Sequence, residues 1–224
     1  MRVLIFGATG MVGQSALREC LLDPEVELVL TVGRTATGQQ NPKLREIVHT
    51  DLLHYDDIEP QLSGFDACFF CLGVSSNGMA EAKYTSLTYD ITVAAARTLA
   101  RITPAMTFIY VSGAGTDSSE KGRLMWARVK GRTENALLRL PFRAAYMFRP
   151  AGILAAHGER SKTPAYQIAY DLARPLLRML RPVFPDYLLT TEQIGLAMLQ
   201  AAKHGAPKRI LESSDIRKLA DART

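Results

Sequence analysis

The chain opens MRVLIFGATGMVGQSALRECLL, and the glycine spacing inside that stretch restricts the fold more than any bulk property. Gly7, Gly10 and Gly13 form a G-x-x-G-x-x-G pattern directly after the apolar run 2–6 and at the head of a segment with apolar residues at helical spacing. A strand that feeds straight into a helix leaves the first N–H groups of that helix unpaired, with its positive dipole end open. Glycines at such a turn let the backbone come close to an anion, a pyrophosphate above all. The site read from this pattern is Gly7, Thr9, Gly10, Met11, Val12 and Gly13. A glycine triplet alone is a weak signal, because a tight turn with no ligand uses the same residues. It gains weight if the rest of the chain repeats strand and helix.

It does. Aliphatic or β-branched runs follow at 27–32, 46–49, 66–72, 106–112 and 143–148, and KRILE at 208–212 reads as one more. Helical patterns lie between them: one ends before Pro24, a longer one spans 80–101 before Pro104, and a late one is capped by Thr190 and Thr191 and stopped by Gly205. Near-continuous apolar strands suit a parallel sheet covered on both sides. The fold class expected is therefore α/β, a Rossmann doubly wound parallel sheet of about seven strands with helices on both faces. With 224 residues, 47% of them hydrophobic, one core is expected, hence a single domain over 1–224. Prolines and glycines from Pro150 to Pro185 break the pattern, so substrate-side insertions are expected at roughly 150–190.

The net charge of +5 is spread along the chain, which favours a small anionic ligand over nucleic acid. No apolar run approaches the ~20 residues of a membrane span, and no cleavage site follows the N-terminal run. The four histidines, at 49, 54, 157 and 204, show no ligand spacing, so no metal is expected. Cys68 and Cys71, three apart on a strand, point to opposite faces, which excludes a shared metal or disulfide. Three cysteines in all point to a reducing compartment, and the cytoplasm is the expected location. The stretch 166–184 carries Arg174, Arg178 and Arg181 among apolar residues; a lid on the substrate side is expected there rather than a membrane-surface helix, because Pro175 and Pro182 interrupt it. A homo-oligomer stays open.

The end of the second strand lies beside the adenosine ribose of any dinucleotide held this way. A site selective for NAD offers an acidic residue there; this chain offers Gly33, Arg34 and Thr35. A guanidinium forks onto a 2′-phosphate, so the cofactor expected is NADP, with NADPH favoured over NADH. Topology places Asp51 and Leu52, after the third strand, near the adenine, and Gly73, after the fourth, near the nicotinamide ribose. Asp51 as a turn cap is an equal alternative.

The glycine motif, Gly33-Arg34, YVSGAGTDSS, RVKGRTENAL, FRPAGIL and LTTEQIGLAML together resemble the atypical short-chain dehydrogenase/reductase superfamily. The resemblance covers nearly the whole chain and is closest to an NAD(P)-binding branch holding the Tat-interacting-protein oxidoreductase and bacterial epimerase/dehydratase-like proteins. It implies strand order 3-2-1-4-5-6-7, an NAD(P)(H) cofactor, Ser112 as the catalytic serine, Lys130 as the lysine on the nicotinamide ribose, and Arg149-Pro150 at the substrate pocket.

One position departs from that pattern. Trp126 stands where the tyrosine of Y-x-x-x-K belongs. Indole donates a hydrogen bond but exchanges no proton at neutral pH, and general acid–base help is typically worth 10²–10⁴ in rate. Either a tyrosine from elsewhere serves, with Tyr84, Tyr89 and Tyr110 as candidates, or turnover is lost. The leading expectation is an NADP(H)-dependent oxidoreductase on a small carbonyl or hydroxyl substrate. The alternative is a catalytically weak NADP-binding regulator or interaction protein. A sugar-nucleotide epimerase comes third, since it too needs the tyrosine.

Overall fold

Strand formation begins with Val3, Leu4, Ile5 and Phe6, all fully buried. The computed structural model describes residues 1–159, 179 and 184–222. In chain order its elements are β1 (Arg2–Phe6), α1 (Met11–Leu22), β2 (Leu28–Gly33), β3 (Leu44–Val48), β4 (Ala67–Phe70), α2 (Glu81–Thr85), α3 (Ile91–Ile102), β5 (Thr107–Val111), α4 (Met125–Leu138), β6 (Ala144–Arg149), β7 (Gly152–Leu154), β8 (Leu188–Thr190), α5 (Thr191–His204), β9 (Ile210–Glu212) and α6 (Ser213–Asp221).

Seven strands form one sheet in the order β3-β2-β1-β4-β5-β6-β9, and every pairing in it is parallel. This is the doubly wound Rossmann sheet that the alternation predicts, with the reversal of strand order between β1 and β4. Period-two alternation deals the strand residues to two cores. Val3, Ile5, Val29, Phe69 and Ile109 meet Leu17 of α1, Met198 of α5 and Ile216 of α6. On the opposite face Leu4, Phe6, Leu30, Phe70, Phe108 and Tyr110 meet Leu99 of α3 and Leu137 of α4. Cys68 belongs to the second core while Cys71 packs against the first, so the pair diverges as expected.

Three details depart from the sequence expectation. The long helix at 80–101 is broken: α2 and α3 are joined by a π turn, Ser86–Asp90. Hydroxyls compete there with the helix ladder, and Thr92 Oγ1 donates to the Thr88 carbonyl at 2.5 Å. β4 stops at Phe70, because the following backbone is drawn under the glycine loop, with Cys71 N–H donating to the Phe6 carbonyl at 2.9 Å. β7 and β8 pair as a separate parallel ribbon, which brings the two ends of the proline-rich region together. The stretch 166–184, expected as a lid, lies outside the described residues apart from 179 and 184. Among the described residues no helix is long and apolar enough to cross a membrane, and no cluster of ligating side chains could hold a metal.

α5 starts and stops where its sequence says. Thr190 accepts from Gln193 N–H at 3.1 Å while the Gln193 side chain accepts from Thr190 N–H at 3.0 Å. Gly205, at φ +82°, closes the helix.

Candidate dinucleotide site

The three glycines of the loop have different reasons to be glycine. Gly7 sits at φ +79°, and a Cβ there would lie 2.8 Å from Cys71 C and Leu72 N. A Cβ on Gly13 would lie 2.0 Å from the Gly7 carbonyl oxygen, so α1 could not pack so close to β1 with any side chain in that place. Gly10 differs. Its backbone is extended (φ −83°, ψ 165°), and its Cβ would approach Gly7 O no closer than 3.4 Å. The protein itself therefore has room for a methyl at Gly10, unlike at Gly7 and Gly13.

Gly10 is also the N-cap of α1 and supplies no capping side chain, so the N–H groups of Met11, Val12 and Gly13 face the turn without a partner of that kind. Gln14 Nε2 donates to the Thr9 carbonyl at 2.9 Å and holds the loop in shape. An anion placed there meets several N–H donors and the positive end of a helix 12 residues long.

β2 ends at Gly33, and Arg34 follows it, exposed and with no ion pair among the described residues. The nearby carboxylate of Glu46 is taken: it accepts from Thr37 N–H at 2.7 Å and from the Thr31 hydroxyl at 3.1 Å, and those bonds hold it below the usual carboxylate range despite the opposing effect of partial burial. Asp51 is exposed and caps a local turn, accepting from Leu53 N–H at 3.0 Å and pairing with His54 Nδ1 at 2.9 Å, which holds its carboxyl below the ordinary range. Leu52 is buried, and its carbonyl accepts from the Tyr55 hydroxyl at 2.8 Å. Gly73 is exposed, and a Cβ there would touch nothing within 4 Å.

At the C-terminal end of β5, Ser112 and Lys130 come together as the sequence spacing suggests, with Lys130 Nζ donating to the Ser112 carbonyl. Behind them lies a polar group that sequence reading missed. Glu134 is fully buried; its Oε1 accepts from Ser112 Oγ at 2.5 Å and from Arg149 Nε at 3.0 Å, and its Oε2 from Arg149 Nη2. Arg149 also reaches Ser118 Oγ at 2.6 Å and Glu212 Oε1 at 3.2 Å. The Arg149 guanidinium goes to the buried carboxylate, which would otherwise stay desolvated and unpaired. Gly131 lets this happen, since a Cβ there would lie 1.8 Å from the Asp117 carbonyl and push α4 off the loop after β5. The available sequence signal was the four-residue spacing from Lys130 to Glu134 on one helix face.

A family model described as NAD(P)H-binding matches residues 7–139, from the first glycine of the loop to the end of α4. The chain belongs to that NAD(P)H-binding family. Protein FMP52, mitochondrial, of Meyerozyma guilliermondii is 26% identical over 204 residues, covering 90% of this chain and 85% of its own length. Protein FMP52-2, mitochondrial, of Scheffersomyces stipitis is 30% identical over 161 residues, covering 70% and 67%. The WbmF enzyme of Bordetella bronchiseptica, solved with NAD+, superposes with a TM-score of 0.71 at 15% identity over 98% of this chain and 76% of that one. UDP-glucuronic acid 4-epimerase from Bacillus cereus, solved with NAD, gives 0.67 at 12% identity over 100% and 85%. These structures share the fold of this chain.

The relatives overturn one expectation. Their names carry the word mitochondrial, against the cytoplasmic location read from the cysteines. The thiols were a poor guide to compartment: Cys20 and Cys68 are buried, and burial pushes their thiols well up, so they report packing and not surroundings.

Two of the three candidate substitute tyrosines, Tyr84 and Tyr110, lie in the core. Tyr110 is 1% exposed on the core face with Phe70 and Phe108, and burial pushes its hydroxyl far up. Tyr84 is buried close to it. The Tyr89 ring lies under the Arg132 guanidinium, 4.3 Å away. Trp126 is half-buried, and a Cβ on Gly115 would meet the edge of its ring at 3.3 Å.

Proposed function

We propose that this protein binds NADP(H) along the carboxyl ends of β1 to β5 and acts as an oxidoreductase on a small carbonyl or hydroxyl compound. The observation that carries the cofactor choice is Arg34, an exposed guanidinium with no ion pair among the described residues, directly after β2 where an NAD site would offer a carboxylate. In this reading Gly7, Thr9, Gly10, Met11, Val12 and Gly13 cradle the pyrophosphate, Arg34 holds the 2′-phosphate, Asp51 and Leu52 border the adenine, Gly73 borders the nicotinamide ribose, and Ser112 and Lys130 form the reacting end. The cofactor supplies or accepts the hydride. The chain supplies position, charge and the proton.

Charge-assisted hydrogen bonds contribute roughly 1.5–3 kcal/mol, so NADPH is expected to bind about ten- to a hundredfold more tightly than NADH. Arg34→Ala closes that gap by weakening NADPH alone. Equal affinities of the native protein for the two nucleotides in a fluorescence titration would rule out the NADP preference. Trp126 supports a second reading, an NADP-binding regulator without turnover. Incubation with NADPH and a panel of aldehydes, ketones and quinones separates the two: oxidation of NADPH by the native protein favours the enzyme, and oxidation by Trp126→Tyr alone favours the regulator.

A further inference from the structure

Lys130 lies one helical turn beyond Trp126, and its Nζ donates to the Ser112 carbonyl. The neighbouring Gly113 is at φ +140°, and a Cβ on it would sit 3.7 Å from that nitrogen. The amine thus borders a stretch of backbone without a side chain, at the strand end where the family's cofactor lies. Among the described residues no carboxylate forms an ion pair with it, although Glu134 lies near enough to favour its charge. Glu134, the carboxylate one turn further along α4, is occupied on one oxygen by Ser112 and Arg149 and on the other by Arg149. The remaining groups on the elements packed around α4 do not pair with the amine. Glu81 of α2 pairs with Arg128 at 2.6 Å, Tyr89 of the π turn stacks on Arg132, Tyr84 and Tyr110 are buried phenols, and Arg149 of β6 carries the same sign as Lys130. Lys130 is partly buried, and a partly desolvated ammonium bonded to a neutral acceptor gives up its proton more readily than one paired with a carboxylate.

We propose that Lys130 Nζ is the group that transfers the proton in this protein, in place of the tyrosine hydroxyl that Trp126 removes. The proposal rests on the NADP(H) reading above. In the direction of reduction, a bound NADPH would supply the hydride to the carbonyl carbon; the part of this chain is the proton, which the carbonyl oxygen would take from Nζ as the N–H bond breaks and the π pair moves onto oxygen, leaving a neutral amine and an alcohol. Water then returns a proton to the amine. In the reverse direction the neutral amine removes the hydroxyl proton. Burial supports this role by lowering the ammonium pKa to about 8, against the smaller opposing effect of Glu134, which places proton loss close to neutral pH.

The first test follows the Cε resonance of 13C-labelled lysine with pH, assigned by its disappearance in Lys130→Arg. An inflection near pH 8 is expected in the native protein with or without NADP+. Glu134→Gln should move it lower, because a favourable negative charge is removed, and Arg149→Met should move it higher by releasing Glu134. The second test is kinetic. Lys130→Arg keeps the positive charge and should still bind NADPH, yet lose at least about a hundredfold in turnover on the carbonyl panel; native reduction should decline as pH rises through the NMR inflection. Binding with an inflection above about 10, undiminished turnover in Lys130→Arg, or no turnover by the native protein would each overturn the proton role alone. Failure of the native protein to bind NADPH would overturn the cofactor reading and this role with it.

Discussion

Gly10 and Gly13 separate packing from binding at the level of single atoms. An alanine in a helix is favoured over glycine by about 1 kcal/mol, but at position 13 its Cβ would be forced to within 2.0 Å of a carbonyl oxygen. Overpacking of that kind costs typically 1–3 kcal/mol and more where backbone must move, so the clash wins. Gly13→Ala is expected to lower the melting temperature by several degrees or to abolish folding. Gly10→Ala, with a 3.4 Å contact and an extended backbone, should melt within a degree or two of the native protein and still bind NADPH at least tenfold more weakly. If calorimetry and titration showed the two variants alike, the division of labour between these glycines would be wrong. This residue scale is also where sequence reading reached furthest. Glycine spacing, Arg34 and the Trp126 to Lys130 interval are local patterns. Glu134 stayed hidden because its partners, Ser112 on β5 and Arg149 on β6, are distant in sequence and meet it only when the sheet assembles.

At the scale of elements, the same distinction between local and long-range information sorts what was legible. The central strands β1, β2, β4, β5 and β6 could be read because their apolar runs are almost wholly buried and leave no polar face to confuse the pattern; the edge strands β3 and β9, with burial on one side only, were read from position and β-branched content. β7 and β8 could not, since each is three residues long and exists only by pairing with the other across more than thirty residues of chain. The π turn was equally invisible, because the apolar spacing of 80–101 is compatible with one continuous helix. α5 was legible from end to end through its caps. Thr190 is 9% exposed and carries both halves of the capping box, so Thr190→Ala should cost about 1 kcal/mol. In a chain of this size that is a drop of roughly 2–4 °C in melting temperature. The effect should be reproduced by Gln193→Ala in part and should not add fully in the double variant, since both changes break one reciprocal pair. Full additivity would show that the two side chains act separately.

For the molecule as a whole, the site end of the sheet is held by charges that its two hydrophobic cores do not need. A buried Glu134–Arg149 pair is weak support for stability, because both ions give up hydration to form it. Lys130 is worse placed, being partly desolvated with only the indirect pull of Glu134 to offset it, and a chain selected for stability alone would put an apolar residue there. The linkage has a definite sign. The folded state holds this lysine at a pKa of about 8, against about 10.5 when unfolded. Between those values the unfolded chain binds a proton that the folded one does not, so folding gains stability as pH rises through that window; below about pH 8 the full penalty is present. One pKa unit is worth about 1.4 kcal/mol, which makes the penalty a few kcal/mol at neutral pH. Lys130→Met, which keeps the length of the aliphatic stem and removes the charge, is therefore expected to melt higher than the native protein at pH 7. Its advantage should shrink steadily up to about pH 10 as the native lysine is relieved. Denaturant unfolding of both proteins at a series of pH values measures it. A constant difference across the series would mean that Lys130 keeps its ordinary pKa in the fold, and that the destabilising charge at the end of β5 is not a cost carried for chemistry.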